Sequence, residues 1–290
     1  VADGDISFQS LGSNSYTATL GGALQSGGAL RVSSTGTTTR LDVQGSGSVY
    51  IVDIDIDRVA IGARGTLASQ RQMDIDARTL TLGKEGSDIN AQTGRVMAAL
   101  SGTGKGFIRL GDALANDGLL FSADDLDVRA PSIAVGTTGA ISAVSELSVH
   151  ANGGKLDLAA DSPGSSATGA INNSGLIYAG ELLNIQANGR LTNGVNASGE
   201  VTGDMQIHSA GDLVIRANTV INNTLINAER DVQIIAATVR NEIAGGDTRT
   251  PFSSTPRYNK DNLPAGAVER DYRNDGKPVG GNTDEAWHWV

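Results

Sequence analysis

Aspartates alternate with apolar residues at three places in the chain. Asp53, Asp55 and Asp57 do so in VDIDIDR, Asp74 and Asp76 in MDIDA, and Asp125 and Asp127 in DLDVRA. Alternation places each set on one side of a strand. Carboxylates stacked in this way could gather oxygen ligands around a calcium ion or supply the acid pair of a glycosidase. The competing reading is that the outer positions of a strand must be polar and that Asp keeps strand edges soluble. We adopt that reading.

The other chemistry-bearing residues are sparse. His150 and His208 stand at variable positions of a repeat and are expected to face solvent, while His288 lies near the carboxy terminus. No histidine pair has metal-ligand spacing. There is no GxSxG elbow and no phosphate-binding loop, nor the calcium-binding nonapeptide of other β-rolls. Residues 1–245 hold six Phe and Tyr and no Trp, few for the aromatic platform of a sugar-cleaving cleft. The sequence therefore predicts no catalytic, cofactor-binding or metal residue and no enzyme activity. It leaves ligand-binding residues unassigned.

Bulk properties narrow the partners. The 290 residues carry a formal net charge of −10, which opposes nucleic acid and anionic membrane surfaces. No apolar run reaches transmembrane length, so no membrane insertion is expected. Cysteine is absent, which suits a bacterial protein exported unfolded into an oxidising space. The chain starts at Val1 without a signal-peptide pattern and reads as a mature protein or a piece of a longer one.

The elements that must position these residues are written as a short repeat. ARGTLASQRQMDIDA (63–77), NDGLLFSADDLDVRA (116–130), TTGAISAVSELSVHA (137–151), NSGLIYAGELLNIQA (173–187) and NNTLINAERDVQIIA (222–236) align without gaps. The third place is Gly in four of them and Thr in the fifth. The fifth place is Leu or Ile, the seventh Ser or Ala, the eleventh and thirteenth apolar, and the fifteenth Ala. Period-two alternation makes these units strands. A unit so short cannot bury a face alone and must stack on its copies, giving an all-β solenoid with coils of roughly 20 residues. In this reading the alanines, Ala217 and Ala236 among them, are buried corners. Asn172, Asn173, Asn193, Asn222, Asn223, Asn227 and Asn241 cluster at turns and are read as amide ladders between coils.

Residues 1–62 show the pattern weakly and 63–245 clearly, so 1–245 forms one repeat body. Stretches 161–170 and 194–204 read as loop insertions. Residues 246–290 hold four of the six prolines and both tryptophans and break the pattern. They read as an irregular cap or linker. The sequons at Asn172, Asn196 and Asn222 read as by-products of Asn-rich turns.

The unit N-x-G-x-L-x-A-x-x-x-L-x-I-x-A-x-x-L-x-N, best seen in 172–193 and 222–241, resembles the shaft repeats of filamentous-haemagglutinin-like exoproteins. These belong to Gram-negative two-partner secretion systems. The resemblance covers 63–245 well, 1–62 loosely and 246–290 not at all. It implies a right-handed parallel β-helix secreted through an outer-membrane transporter and displayed at the cell surface. The Asn-Pro-Asn motifs of the family's secretion domain are missing, so the chain resembles a piece of shaft. The implied function is a structural segment of a surface adhesin that presents, or contributes to, binding of a receptor or glycan on a host or neighbouring cell. A contact-dependent inhibition stalk and a polysaccharide-active β-helix enzyme are the alternatives. The expected protein is a monomer without cofactor.

Overall fold

The computed structural model describes residues 3–10, 16–34, 39–85, 92–152, 169–194 and 205–241. By internal contacts the chain divides into Val1–Gly245 and Gly246–Val290. The whole second unit, expected as a cap or linker, lies outside the described residues, as do most of the two expected insertions.

Among the described residues there is no helix, and the protein is all-β. The first strands are β1 (Ile6–Ser10), β2 (Tyr16–Leu20), β3 (Leu24–Ser34), β4 (Thr39–Val43), β5 (Ser46–Ile61), β6 (Thr66–Ser69) and β7 (Met73–Leu82). Next come β8 (Lys84–Glu85), β9 (Gln92–Thr93), β10 (Arg95–Ala98), β11 (Lys105–Asn116), β12 (Leu119–Ser122), β13 (Asp125–Ala130) and β14 (Ser132–Val135). The remainder are β15 (Ala140–Ala143), β16 (Glu146–Ala151), β17 (Ala170–Asn173), β18 (Leu176–Ala179), β19 (Leu182–Asn193), β20 (Gln206–Ser209), β21 (Asp212–Asn222), β22 (Leu225–Ala228) and β23 (Val232–Asn241).

All but β8 and β9 join one 21-stranded sheet, and every pairing within it is parallel. The pairings fall into three ladders. The first stacks Ile54, Ile75, Ile108, Val128, Val149, Ile185, Ile215 and Ile234 in register. The second stacks Leu41, Val59, Leu80, Leu114, Ile133, Ile171, Leu191, Val220 and Val239. The third stacks Leu67, Val96, Leu120, Ile141, Ile177, Ile207 and Ile226. Buried members of all three belong to one hydrophobic cluster. Each such aliphatic side chain contributes about 1.5–3 kcal/mol on burial.

The repeat's glycine has a steric origin. The glycines at the third place of the unit stack on one another, and a Cβ on Gly118, Gly139 or Gly175 would lie 2.1 Å from the carbonyl oxygen of Gly94, Asn116 or Gly139 respectively. None of the three has a left-handed φ. Close approach of successive backbones, rather than backbone conformation, excludes a side chain there.

Asparagines hold the corner that precedes this glycine, buried at Asn116, Asn173 and Asn193, half-buried at Asn222 and exposed at Asn241. Asn173 Nδ2 donates to Asn193 Oδ1, Asn193 Nδ2 to Asn222 Oδ1, and Asn222 Nδ2 to Asn241 Oδ1, each at 2.8 Å. The same amides satisfy corner backbone groups, as where Gly175 N donates to Asn173 Oδ1 at 3.2 Å. Asn116 acts alike, accepting from Gly118 N at 2.9 Å and donating to Ala140 O at 2.9 Å. Four of the seven expected turn asparagines thus form a ladder. Asn172 is exposed instead, Asn223 is half-buried, and Asn227 meets His208.

The alanine corners divide. Ala130, Ala151, Ala187 and Ala217 have no exposed surface. Ala77 is only half-buried and so, likewise against expectation, is Ala236. It lies on β23, which pairs only with β21 among the described residues, so Val232, Ile234 and Val239 keep 47 %, 37 % and 54 % exposure although their register is preserved.

Two features were not expected. β10 and β11 supply a complete further unit in which Gly106 takes the apolar eleventh place; Leu126 fills the space, 2.7 Å from where a Cβ would sit. β8 and β9 form a short antiparallel pair between β7 and β10. The pairing resumes in register beyond each expected insertion, with Ala151 opposite Ala187 and Leu183 opposite Leu213.

Candidate interaction surfaces

The alternating aspartates face outward on the first ladder, where arginines answer them. Asp76 and Arg109 are direct cross-strand partners. Arg109 Nε donates to Asp76 Oδ1 at 2.7 Å and its Nη2 to Asp76 Oδ2 at 2.8 Å, and Nη2 also reaches Asp74 Oδ1 at 3.0 Å. Arg129 makes a similar two-pronged pair with Asp127, at 2.9 and 2.7 Å. Arg78 bridges Asp57 at 2.8 Å and Asp112 at 3.2 Å. Arg31 contacts Asp5 and lies 3.7 Å from Asp53.

These bonds hold the guanidinium groups charged. The hydrogen bonds to Asp76, then those to Asp74, push Arg109 above the ordinary arginine range against an opposing cost of burial. Asp127 does the same for Arg129. Phe107 lies between the two clusters, with Lys105 Nζ and the Arg109 guanidinium carbon each 5.3 Å from its ring centroid.

Of the aspartates sequence reasoning weighed for calcium or glycoside chemistry, Asp57, Asp74, Asp76 and Asp127 bond to arginine, Asp125 lies 3.8 Å from Lys105 Nζ, and Asp53 and Asp55 stand opposite Asp74 and Asp76 across the strands. No group of three or more acidic, histidine or cysteine side chains among the described residues could hold a metal ion. Where the chain bulges between Leu110 and Ala113, a shallow groove of about 510 Å³ opens, bordered by Asp55, Asp76, Arg78, Arg109, Arg129 and Asn152. Its wall is a mixture of both charges.

The histidines differ from expectation in their surroundings. His150 occupies an outward position, yet it is half-buried and its Nε2 is shielded without a hydrogen-bond partner. Desolvation pushes its imidazole below the ordinary value; Asp127 opposes this shift and Arg129 adds to it. His208 stacks on Tyr178 with ring centroids 5.5 Å apart and planes 21° apart. His288 lies outside the described residues. Of the sequons, Asn222 is engaged in the amide ladder, Asn172 is exposed, and Asn196 lies outside the described residues.

The outward side of the third ladder has another character. One row runs Arg95, Leu119, Ala140, Leu176, Gln206, Leu225, and its neighbour runs Met97, Phe121, Ser142, Tyr178, His208, Asn227. From β12 onward neither row holds a carboxylate, a lysine or an arginine. Sequence reasoning passed over these positions because they fall at the variable fourth and sixth places of the unit. The sixth place, read down the aligned repeats, is the signal that would have found Phe121 and Tyr178.

Comparison with known proteins finds no matching family model, no matching curated protein and no matching solved structure.

Proposed function

We propose that this chain is a shaft segment of a secreted bacterial surface adhesin, folded as a right-handed parallel β-helix. The observation that carries the reading is the in-register stacking of three parallel ladders, kept although the levels differ in length. Parallel strands joined through a crossover in one sheet are right-handed in nearly all proteins, which supports the handedness. The glycine and asparagine columns favour stacking, since the glycines make room for the backbone one level away and Asn173, Asn193, Asn222 and Asn241 bond from level to level. A body built this way grows by adding levels, which suits a protein that holds a binding or toxic element away from a cell. The resemblance to filamentous-haemagglutinin-like shafts supplies the secretion route and the cell-surface setting. Export through an outer-membrane transporter and contact with a receptor or glycan belong to the same proposal. The ion-paired aspartates favour it over the polysaccharide-active enzyme.

The test is surface display. Antibodies raised against the 92–152 region should label intact cells of the source bacterium, and external protease should abolish the label. Deleting the transporter should keep the protein inside. Labelling only after the cells are permeabilised would overturn the proposal.

A further inference from the structure

We propose that the uncharged outward face built by β12, β15, β18 and β20 binds a neutral glycan, with Phe121 and Tyr178 as the stacking platforms. This deepens the adhesin reading by naming a ligand class and a surface, and it rests on that reading for its biological setting.

The first argument is charge. The chain carries −10, and the first ladder's outer face is crowded with Asp and Arg. The outer face of β12, β15, β18 and β20 carries no Asp, Glu, Lys or Arg. Charged ligands gain nothing there, whereas an uncharged one avoids desolvating an ion pair.

The second argument is geometry. Phe121 pairs with Ser142 and Ser142 with Tyr178, so the two rings stand in one row separated by a single small residue. Two strand spacings put them about 10 Å apart. Ser142 is the small residue between them, so the sides of the two rings that face each other are not filled by a large side chain, while His208 stacks on Tyr178 one level further along.

The third argument is composition. A sugar ring offers a C–H face and a rim of hydroxyls. The surface offers aromatic faces beside a serine hydroxyl, an imidazole and the Gln206 amide, the mixture that orients such a ligand. A lipid or a protein core would favour an unbroken apolar strip instead.

The experiment uses the full chain and titrates it calorimetrically with chitohexaose, cellohexaose, maltohexaose and a heparin hexasaccharide. Binding of at least one neutral hexasaccharide is expected. Tyr178→Ala should weaken it at least about tenfold. Ser142→Arg, which sets a large charged side chain between the two rings from an outward position without touching the core, should do the same while leaving the circular-dichroism spectrum and Tm unchanged. Phe107→Ala, on the charged face, should leave binding as it was. No binding of any neutral sugar overturns the proposal, as does binding indifferent to Tyr178→Ala and Ser142→Arg, or binding confined to heparin and lost in Phe107→Ala. Sugar binding by a protein that never reaches the cell surface would sink the shaft reading alone. Surface display without sugar binding would sink this one alone.

Discussion

The side-chain amide of Asn173 donates to Oδ1 of Asn193 at 2.8 Å, and neither residue has more than 1 % of its surface exposed. Two amides in an aliphatic interior are tolerable because each is satisfied on both sides, by the next amide and by the corner backbone. A buried polar group left without its partner costs far more than a made hydrogen bond contributes. Asn193→Ala should therefore destabilise the protein by about 1–3 kcal/mol in denaturant unfolding. Asn172→Ala, one residue before Asn173 but exposed, should stay within about 0.5 kcal/mol. Equal effects would show that the ladder carries no special weight. A double-mutant cycle of Asn173→Val with Asn193→Val should show coupling of about 0.5–3 kcal/mol, since the pair removes donor and acceptor together.

Gly139 tests the backbone approach. A Cβ there would sit 2.1 Å from the carbonyl oxygen of Asn116, and backbone cannot swing aside as a side chain can. Gly139→Ala should cost about 1–3 kcal/mol as overpacking. Gly111→Ala, whose Cβ would meet nothing nearer than 3.8 Å, should cost little. Thermal melts of the two variants side by side decide the matter, and a tolerated Gly139→Ala would mean that the levels are more widely spaced than described.

The corner alanines make a paired test. Ala217 is fully buried between β19 and β23, so Ala217→Leu should overpack by about 1–3 kcal/mol. Ala236 has a partner on one side only among the described residues and is half-buried. Ala236→Leu should be clearly milder. If both variants unfold at the same denaturant concentration, the difference in burial has no energetic meaning.

Much of this was legible in the sequence because the inward residues are what the repeat preserves. The fifth, eleventh and thirteenth places of each unit read as apolar, and they stack in register as Leu67 on Val96 and Leu120 show. The β10–β11 unit escaped notice because Gly106 stands at an apolar place, and its space is filled by Leu126 from the next level, a compensation no single unit can reveal. The exposure of β23 among the described residues escaped because Val232 and Ile234 obey the pattern; burial depends on a neighbour that the local sequence does not specify. The outer faces were half legible. Alternating Asp announced outward positions, and Arg129 stands two residues from its partner Asp127, but Arg109 is 33 residues from Asp76 and Arg78 is 21 from Asp57, and only the register of the stack brings those together. The Phe121–Tyr178 row was hidden by the same fact.

His150 supplies the last prediction. Its ring is half-buried and its Nε2 unpartnered, and desolvation holds its imidazole below the ordinary value of about 6.5. The unfolded chain therefore takes up this proton more readily than the folded one. Stability rises with pH wherever the unfolded state binds more protons. The contribution is thus fully present above about pH 6.5 and is lost as the pH falls through that value toward the lowered folded one. The charge of Asp127 moderates the effect, and that of Arg129 strengthens it. Between pH 7.5 and pH 5 the wild-type Tm should fall, and His150→Gln should fall by less, because glutamine has no proton to gain. Ser148→Ala, at an outward place on the same strand, should follow the wild type. Parallel pH dependence in wild type and His150→Gln would assign the acid sensitivity to the carboxylates of the Asp–Arg pairs instead.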